Sequence, residues 1–182
     1  RFIREMAGRN EVGEPTLGSL TYLDLSDVRI LEGGDWYYYD ISYTDWQKRF
    51  IYTVSNEVGE NMFRECKLQT VILPDNITAI RKYAFCVCSQ LSKINIPDKV
   101  ETLDERCFSN CYELKELTIP NGVMEIGYNA FYSCLSLGGF IVSNHIRVIT
   151  AIVFSQLVVL YFGFRMDVSL TELLTTVAVA FL

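Results

Sequence analysis

Six cysteines and one histidine are the residues of this 182-residue chain whose types most readily do chemistry. Together they raise three possibilities: a disulfide framework, a zinc site, or a Cys–His nucleophilic pair. Spacing decides among them. Cys88, Cys111 and Cys134 recur at intervals of 23 residues, and Cys66 precedes Cys88 by 22. That is a structural period, not a ligand cluster. Cys107 stands where the same period elsewhere holds Ala84, Ala130 and Val153, a small buried position. Cys86 is off-pattern, with Arg64, Ser109, Tyr132 and Ser155 as its counterparts, so it is the thiol expected to react first. His145 falls in a turn at a slot held elsewhere by Asn76, Lys99 and Gly122. A nucleophilic pair would need Cys134 beside it, but a residue of a repeating apolar slot points inward, and buried thiols are inert. Phosphate-binding glycine loops and H-E-x-x-H are lacking, and carboxylates such as Asp104, Glu105, Glu113 and Glu116 read as a solvated face. Neither catalytic residues, a metal nor a cofactor is expected.

A second group suits recognition. Asp35-Trp36-Tyr37-Tyr38-Tyr39-Asp40 follows Gly33-Gly34, with Tyr43, Trp46, Phe50 and Tyr52 close behind. Aromatic and β-branched content predicts a hairpin, Trp36–Tyr43 against Arg49–Val54. Such side chains offer large contact area with a polar tip, which suits proteins or sugars. They also serve as packing, and an isolated hairpin needs packing to be stable. The reading is that one face of the insertion is structural and the other available for binding; alternation alone does not say which. Trp36, Tyr37, Tyr38, Tyr39 and Trp46 are the candidates here.

What must position these groups is a repeat. Leu68–Gln90, Leu91–Glu113 and Leu114–Ser136 each open Leu-x-x-(Val/Ile/Leu)-x-(Leu/Ile)-Pro. Each then places an apolar residue at positions ten and thirteen, Phe at eighteen and Cys at twenty-one. In the second copy these are Val100, Leu103, Phe108 and Cys111. One repeat does not bury its apolar row alone, so neighbours must stack as a solenoid. Proline stops each strand because it has no N–H for a ladder. Stacked slots lie about 4.8 Å apart, wider than the roughly 3.8 Å between Cβ atoms that a disulfide prefers. The cysteines therefore read as reduced, buried thiols, and Phe85, Phe108, Phe131 and Phe154 as an aromatic ladder.

The pattern resembles the BspA-type leucine-rich repeat. The resemblance implies an α/β solenoid: a right-handed coil of ~23-residue repeats with a parallel concave sheet and short helical turns on the convex side. It covers residues 58–159, with 17–30 as a generic repeat strand and the two ends matching weakly. The whole chain, 1–182, reads as one domain. Residues 1–19 are an N-terminal cap or the tail of an upstream repeat, with a short helix over Phe2, Ile3 and Met6. Residues 20–67 form a first repeat interrupted at about 31–55 by the aromatic insertion; 68–159 are regular; 160–182 are a degenerate repeat or cap. Side chains alternate across a strand, so Thr70, Ile72, Lys93, Asn95, Glu116 and Thr118 are placed on the concave face as binding candidates.

The family is associated with secreted or surface-anchored bacterial proteins that bind other proteins, including host matrix components. The resemblance thus implies a non-catalytic interaction module for a protein partner. The alternative is carbohydrate binding by the insertion's Trp and Tyr. A net charge of −6 argues against a nucleic-acid face. No uncharged apolar run is long enough to span a membrane, Ile146–Phe164 being interrupted by Arg147. The chain opens on Arg1 and is expected to be part of a longer precursor. The C-terminal stretch 170–182 carries one charge, Glu172. An apolar edge is normally blunted by charge or proline; this end is expected to fold over as a cap or to meet the next domain or a second copy, so a homodimer through it is possible.

Overall fold

In this computed structural model, residues 2–41, 48–137, 139–141 and 148–149 are described. His145, Trp46, Phe154 and the 160–182 tail lie outside them. Helix α1 (Phe2–Met6) leads into strand β1 (Tyr22–Asp24) and then a hairpin of β2 (Gly33–Ile41) and β3 (Lys48–Thr53). The remaining strands are short and come in two alternating sets. One comprises β4 (Glu57–Val58), β6 (Ala79–Ile80), β8 (Thr102–Leu103), β10 (Glu125–Ile126) and β12 (Val148–Ile149); between them come β5 (Thr70–Ile72), β7 (Lys93–Ile94), β9 (Glu116–Thr118) and β11 (Gly139–Ile141).

Neither set pairs with the other, and all their pairings are parallel. Strand β5 lies between β1 and β7, with Tyr22, Thr70 and Lys93 in one row, and β9 pairs with β11. The other set forms a five-stranded ladder, β12-β10-β8-β6-β4. Ala79 sits beside Thr102, Thr102 beside Glu125 and Glu125 beside Val148, each step 23 residues along the chain. Short parallel strands pairing with their counterparts one turn later make a solenoid. The strands end where expected: Pro74, Pro97 and Pro120 are buried just past β5, β7 and β9.

The segments between the two strand sets are turns rather than helices. A tight helical or turn segment is expected around each Ala-Phe-x-x-Cys; 82–87, 105–110 and 128–133 are turns, and α1 is the only helix among the described residues. The reason is where the N–H groups go. In a helix they would all bond internally. Here alternate ones reach the next coil: Tyr83 N–H to Glu105 O, Phe85 N–H to Cys107 O and Val87 N–H to Ser109 O, at 3.1, 2.8 and 2.8 Å. The same trio repeats from Arg106, Phe108 and Asn110 to Tyr128, Ala130 and Tyr132, and from Asn61, Phe63 and Glu65 to Lys82, Ala84 and Cys86. The intervening N–H groups of Ala84, Cys86 and Cys88 bond back three residues. The backbone thus forms a third ladder, for which each coil bends twice through left-handed residues: Asn61 and Glu65, Tyr83 and Val87, Arg106 and Asn110, Asn129 and Ser133, all with φ between 53° and 63°.

The core fills the space among the three ladders. Phe63, Phe85, Phe108 and Phe131 stack with centroids 5.2, 5.4 and 5.6 Å apart and planes 19°, 1° and 4° from parallel. Phe63, from the interrupted first repeat, extends the aromatic row at its N-terminal end. Phe85 and Phe108 have no exposed surface, and truncating either to alanine would cost about 3–5 kcal/mol.

Candidate functional site

The six cysteines are free and buried. Three of them show why the slot holds sulfur. The thiols of Cys88, Cys111 and Cys134 donate to the carbonyls of Phe63, Phe85 and Phe108 in the preceding coil, at 2.9, 3.2 and 3.2 Å. A small apolar side chain with one weak donor fits that place. Burial pushes the Cys66 thiol up to about 11 and Cys134 to about 12, and raises Cys88, Cys107 and Cys111 well above the ordinary value. None has the lowered pKa of a nucleophile. Cys86, expected to be open, is buried as well. It has Ser109 beside it on the next coil and, at 5 %, is the most exposed of the six.

The sheet of β1, β5 and β7 and the β9–β11 pair after it carry exposed faces built by simple alternation. Leu23, Val71, Ile94 and Leu117 point inward and are buried. Flanking them, Tyr22, Lys93, Glu116 and Thr118 are exposed, while Thr70 and Ile72 are half-buried. Tyr22, 55 % exposed, was not among the sequence candidates. It heads the row of Thr70 and Lys93, and the alternation of Tyr22-Leu23-Asp24 is the signal that would have found it. Asn95 is exposed, but its amide is engaged: Leu73 N–H donates to its Oδ1 at 2.7 Å, and its Nδ2 donates to Leu73 O at 3.1 Å. It continues the ladder past the end of β5, where Pro97 ends the neighbouring strand's donors.

The hairpin assigns the two faces that alternation left open. Strict period two would put Trp36 with Tyr38 and Tyr37 with Tyr39. The pairing of β2 with β3 instead shifts register between Gly33 and Tyr38. Adjacent Tyr37 and Tyr38 are both buried, at 3 and 7 % exposure. Trp36 and Tyr39 come together on the other side, rings 5.7 Å apart, with Phe50 5.3 Å from Trp36 and 6.0 Å from Tyr39. Phe50 is 43 % exposed and Tyr52 49 %. An outward aromatic trio and an inward tyrosine pair share one strand because, between the Gly33 and Tyr38 pairings, β2 advances five residues and β3 two, an irregularity that breaks the alternation.

The inward pair closes the end of the third ladder. Every later coil offers three carbonyls to the N–H groups of the coil before it: Lys82, Ala84 and Cys86 in the second, Glu105, Cys107 and Ser109 in the third. The equivalent carbonyls of the first coil are Glu60, Met62 and Arg64. The Tyr37 hydroxyl donates to Glu60 O at 2.7 Å. Arg4 Nη1 donates to Met62 O at 3.1 Å and Arg64 O at 3.3 Å, and also to Asn61 O at 2.7 Å. Two side chains thus do the work of three backbone donors. Arg4 is only 2 % exposed, its Nε and Nη2 donate to Asn10 O, and its guanidinium lies 4.9 Å from the centre of the Tyr38 ring. Gly59 makes the approach possible, since a Cβ there would stand 2.4 Å from the Tyr37 hydroxyl oxygen. Burial, followed by the nearby Glu60 carboxylate, raises the Tyr37 phenol well above its ordinary value, so it stays protonated and donating. Arg4 was missed because its apolar neighbours Phe2, Ile3 and Met6 marked only a helix.

Among the described residues, no group of three or more His, Cys, Asp or Glu is placed to hold a metal ion, and no helix is long and apolar enough to cross a membrane.

No curated protein matches the chain. Among solved structures, a leucine-rich repeat protein from Bacteroides ovatus is 22 % identical with a TM-score of 0.50, over 64 % of this chain and 36 % of that one. A leucine rich cell surface protein from Faecalibacterium prausnitzii is 26 % identical with a TM-score of 0.49, over 58 % and 27 %. The chain therefore spans about a third of the length of these two proteins. The first likeness carries the leucine-rich-repeat fold. The model of the BspA type leucine rich repeat region matches residues 42–164 in six copies, and with the parallel ladders and recurring Phe and Cys rungs described above, the chain belongs to the BspA-type leucine-rich repeat family.

Proposed function

We propose that this chain is a non-catalytic interaction module of a bacterial cell-surface or secreted protein, binding a protein partner through the exposed sheet face. The observation that supports it most is the row Tyr22, Thr70, Lys93, exposed or half-buried and laid side by side on a parallel sheet, with exposed Glu116 at the start of the following strand, β9. Mixed polarity over a preorganised surface suits protein recognition. Family membership supports both the protein-binding role and the lack of catalysis. We take the coil as right-handed, the hand nearly all parallel crossovers adopt, and this sheet as the concave one, as the family resemblance implies. Homodimerisation through the C-terminal edge is part of the same proposal.

The aromatic trio favours a second reading. Trp36, Tyr39 and Phe50 form an outward cluster of the kind that stacks on sugar rings, so the hairpin is the candidate carbohydrate site. Trp46 shares the hairpin's sequence. Binding to immobilised host matrix proteins and to a glycan array separates the two. The protein reading expects matrix binding that the double reversal Lys93→Glu, Glu116→Lys abolishes and Trp36→Ala leaves intact. Sugar binding abolished by Trp36→Ala alone would replace it with the second.

A further inference from the structure

The cap does not sit flush on the solenoid. Between α1, the hairpin and the first coil lies a cavity of about 370 Å³. Met62 and Phe63 of the first coil line it on one side, Val28 and Ile30 on another, and Arg4, Tyr37 and Thr53 supply its polar atoms. We propose that this hollow binds one uncharged, apolar small molecule, with the bulk of a fused aromatic ring system or a medium alkyl chain.

Three observations carry the assignment. The volume falls in the lower part of the range of small-molecule pockets, roughly 300–1,000 Å³. Most donors of the polar lining are committed elsewhere: Tyr37 to Glu60 O, Thr53 Oγ1 to Gly33 O, and Arg4 to the carbonyls of Asn10, Asn61, Met62 and Arg64. A ligand that needs hydrogen bonds would lose those of water and regain few, whereas an apolar one loses nothing. The hollow is also propped open. Arg4 and Tyr37 fix α1 and β2 to the first coil through backbone carbonyls, so the cap does not settle onto Met62 and Phe63 without breaking those bonds. A site held open by hydrogen bonds elsewhere is preformed, which lowers the ordering cost of binding. The proposal is independent of the sheet-face reading, because it uses none of that face's residues.

The test is fluorescence titration of the intact chain with 1-aminoanthracene, a neutral probe that brightens in apolar surroundings. Saturable enhancement at one site per chain is expected. 1-Octanol should displace the probe, and octanoate should do so about tenfold or more weakly, because desolvating its carboxylate costs more than the few uncommitted donors return. Val28, 43 % exposed, tolerates a larger side chain, so Val28→Trp should fill the hollow and abolish binding at an unchanged melting temperature. Ile30→Trp, from the adjoining wall, decides the matter if Val28→Trp is destabilised. Lys93→Glu should bind the probe like the wild type. Absence of saturable binding, or wild-type binding by both tryptophan variants, overturns the site. Displacement by octanoate as strong as by octanol overturns the uncharged class and assigns Arg4 as a head-group ligand.

Discussion

Val87 holds its backbone at φ 60°, a conformation that a β-branched side chain strongly disfavours. What holds it there is its N–H bond to Ser109 O at 2.8 Å, one rung of the third ladder. The equivalent residues in neighbouring coils are Glu65, Asn110 and Ser133, all left-handed. Among residues with a side chain, asparagine enters this region with little penalty. Val87→Asn should therefore raise stability by about 1 kcal/mol, a gain of about 2–4 °C in melting temperature for a chain of this size. Because Val87 is only half-buried, little packing is lost in exchange. A differential scanning measurement showing the variant melting below wild type would mean that the Val87 side chain packs better than its backbone strain costs. This device was partly visible in the sequence. Asn110 and Asn129 stand at the two recurring bends, but Tyr83 and Val87 at the same slots disguise them. Residue types that tolerate a left-handed bend are a hint only when all copies carry them.

At the scale of elements, the regular part of the solenoid was legible and its interrupted beginning was not. The strand positions, the proline stops, and the Phe and Cys rungs follow from a pattern that agrees across three copies. The hairpin was legible too: Trp36–Tyr43 against Arg49–Val54 was expected, and β2 and β3 occupy 33–41 and 48–53. Its facing was hidden, because such an irregularity has no signature in period two. Its purpose was hidden for a deeper reason. The Tyr37 and Arg4 bonds satisfy carbonyls brought together by the fold, and nothing local in either residue's neighbourhood announces them. Tyr37→Phe removes one donor from a buried carbonyl and should cost about 1–3 kcal/mol. Arg4→Met removes the donor for Met62 O and Arg64 O and should cost more. Native-state hydrogen exchange should localise both effects: the amides of Asn61, Phe63 and Glu65 should exchange faster, while those of Arg106, Phe108 and Asn110 change little, since repeat units couple mainly to their neighbours. Uniform acceleration along all coils would show that these side chains support global stability without acting as an end cap.

For the whole molecule, the three ladders and the buried thiols make stability a function of pH on the alkaline side. The direction follows from which state holds its protons. Cys66 ionises at about 11 and Cys134 at about 12 in the folded chain, against an ordinary value of 9.0, and Cys88, Cys107 and Cys111 are raised as well. The folded state therefore keeps protons that the unfolded state releases above 9.0. The contribution is fully present below that value and is lost as pH climbs toward the folded values, at about 1.4 kcal/mol per thiol per pH unit. The loss is structural as well as electrostatic, because an ionised thiolate gives up the S–H that Cys88, Cys111 and Cys134 donate to Phe63, Phe85 and Phe108. Since these rungs sit in consecutive coils, they weaken together rather than at one point. Urea midpoints should be level between about pH 6 and 8 and fall steeply above 9. Replacing Cys66 and Cys134 by alanine should lower the midpoint at neutral pH, where packing and, for Cys134, a weak hydrogen bond are lost, yet flatten the alkaline slope. An unchanged slope in that double variant would assign the alkaline loss to the phenols and lysines, and the thiol ladder would then be packing alone.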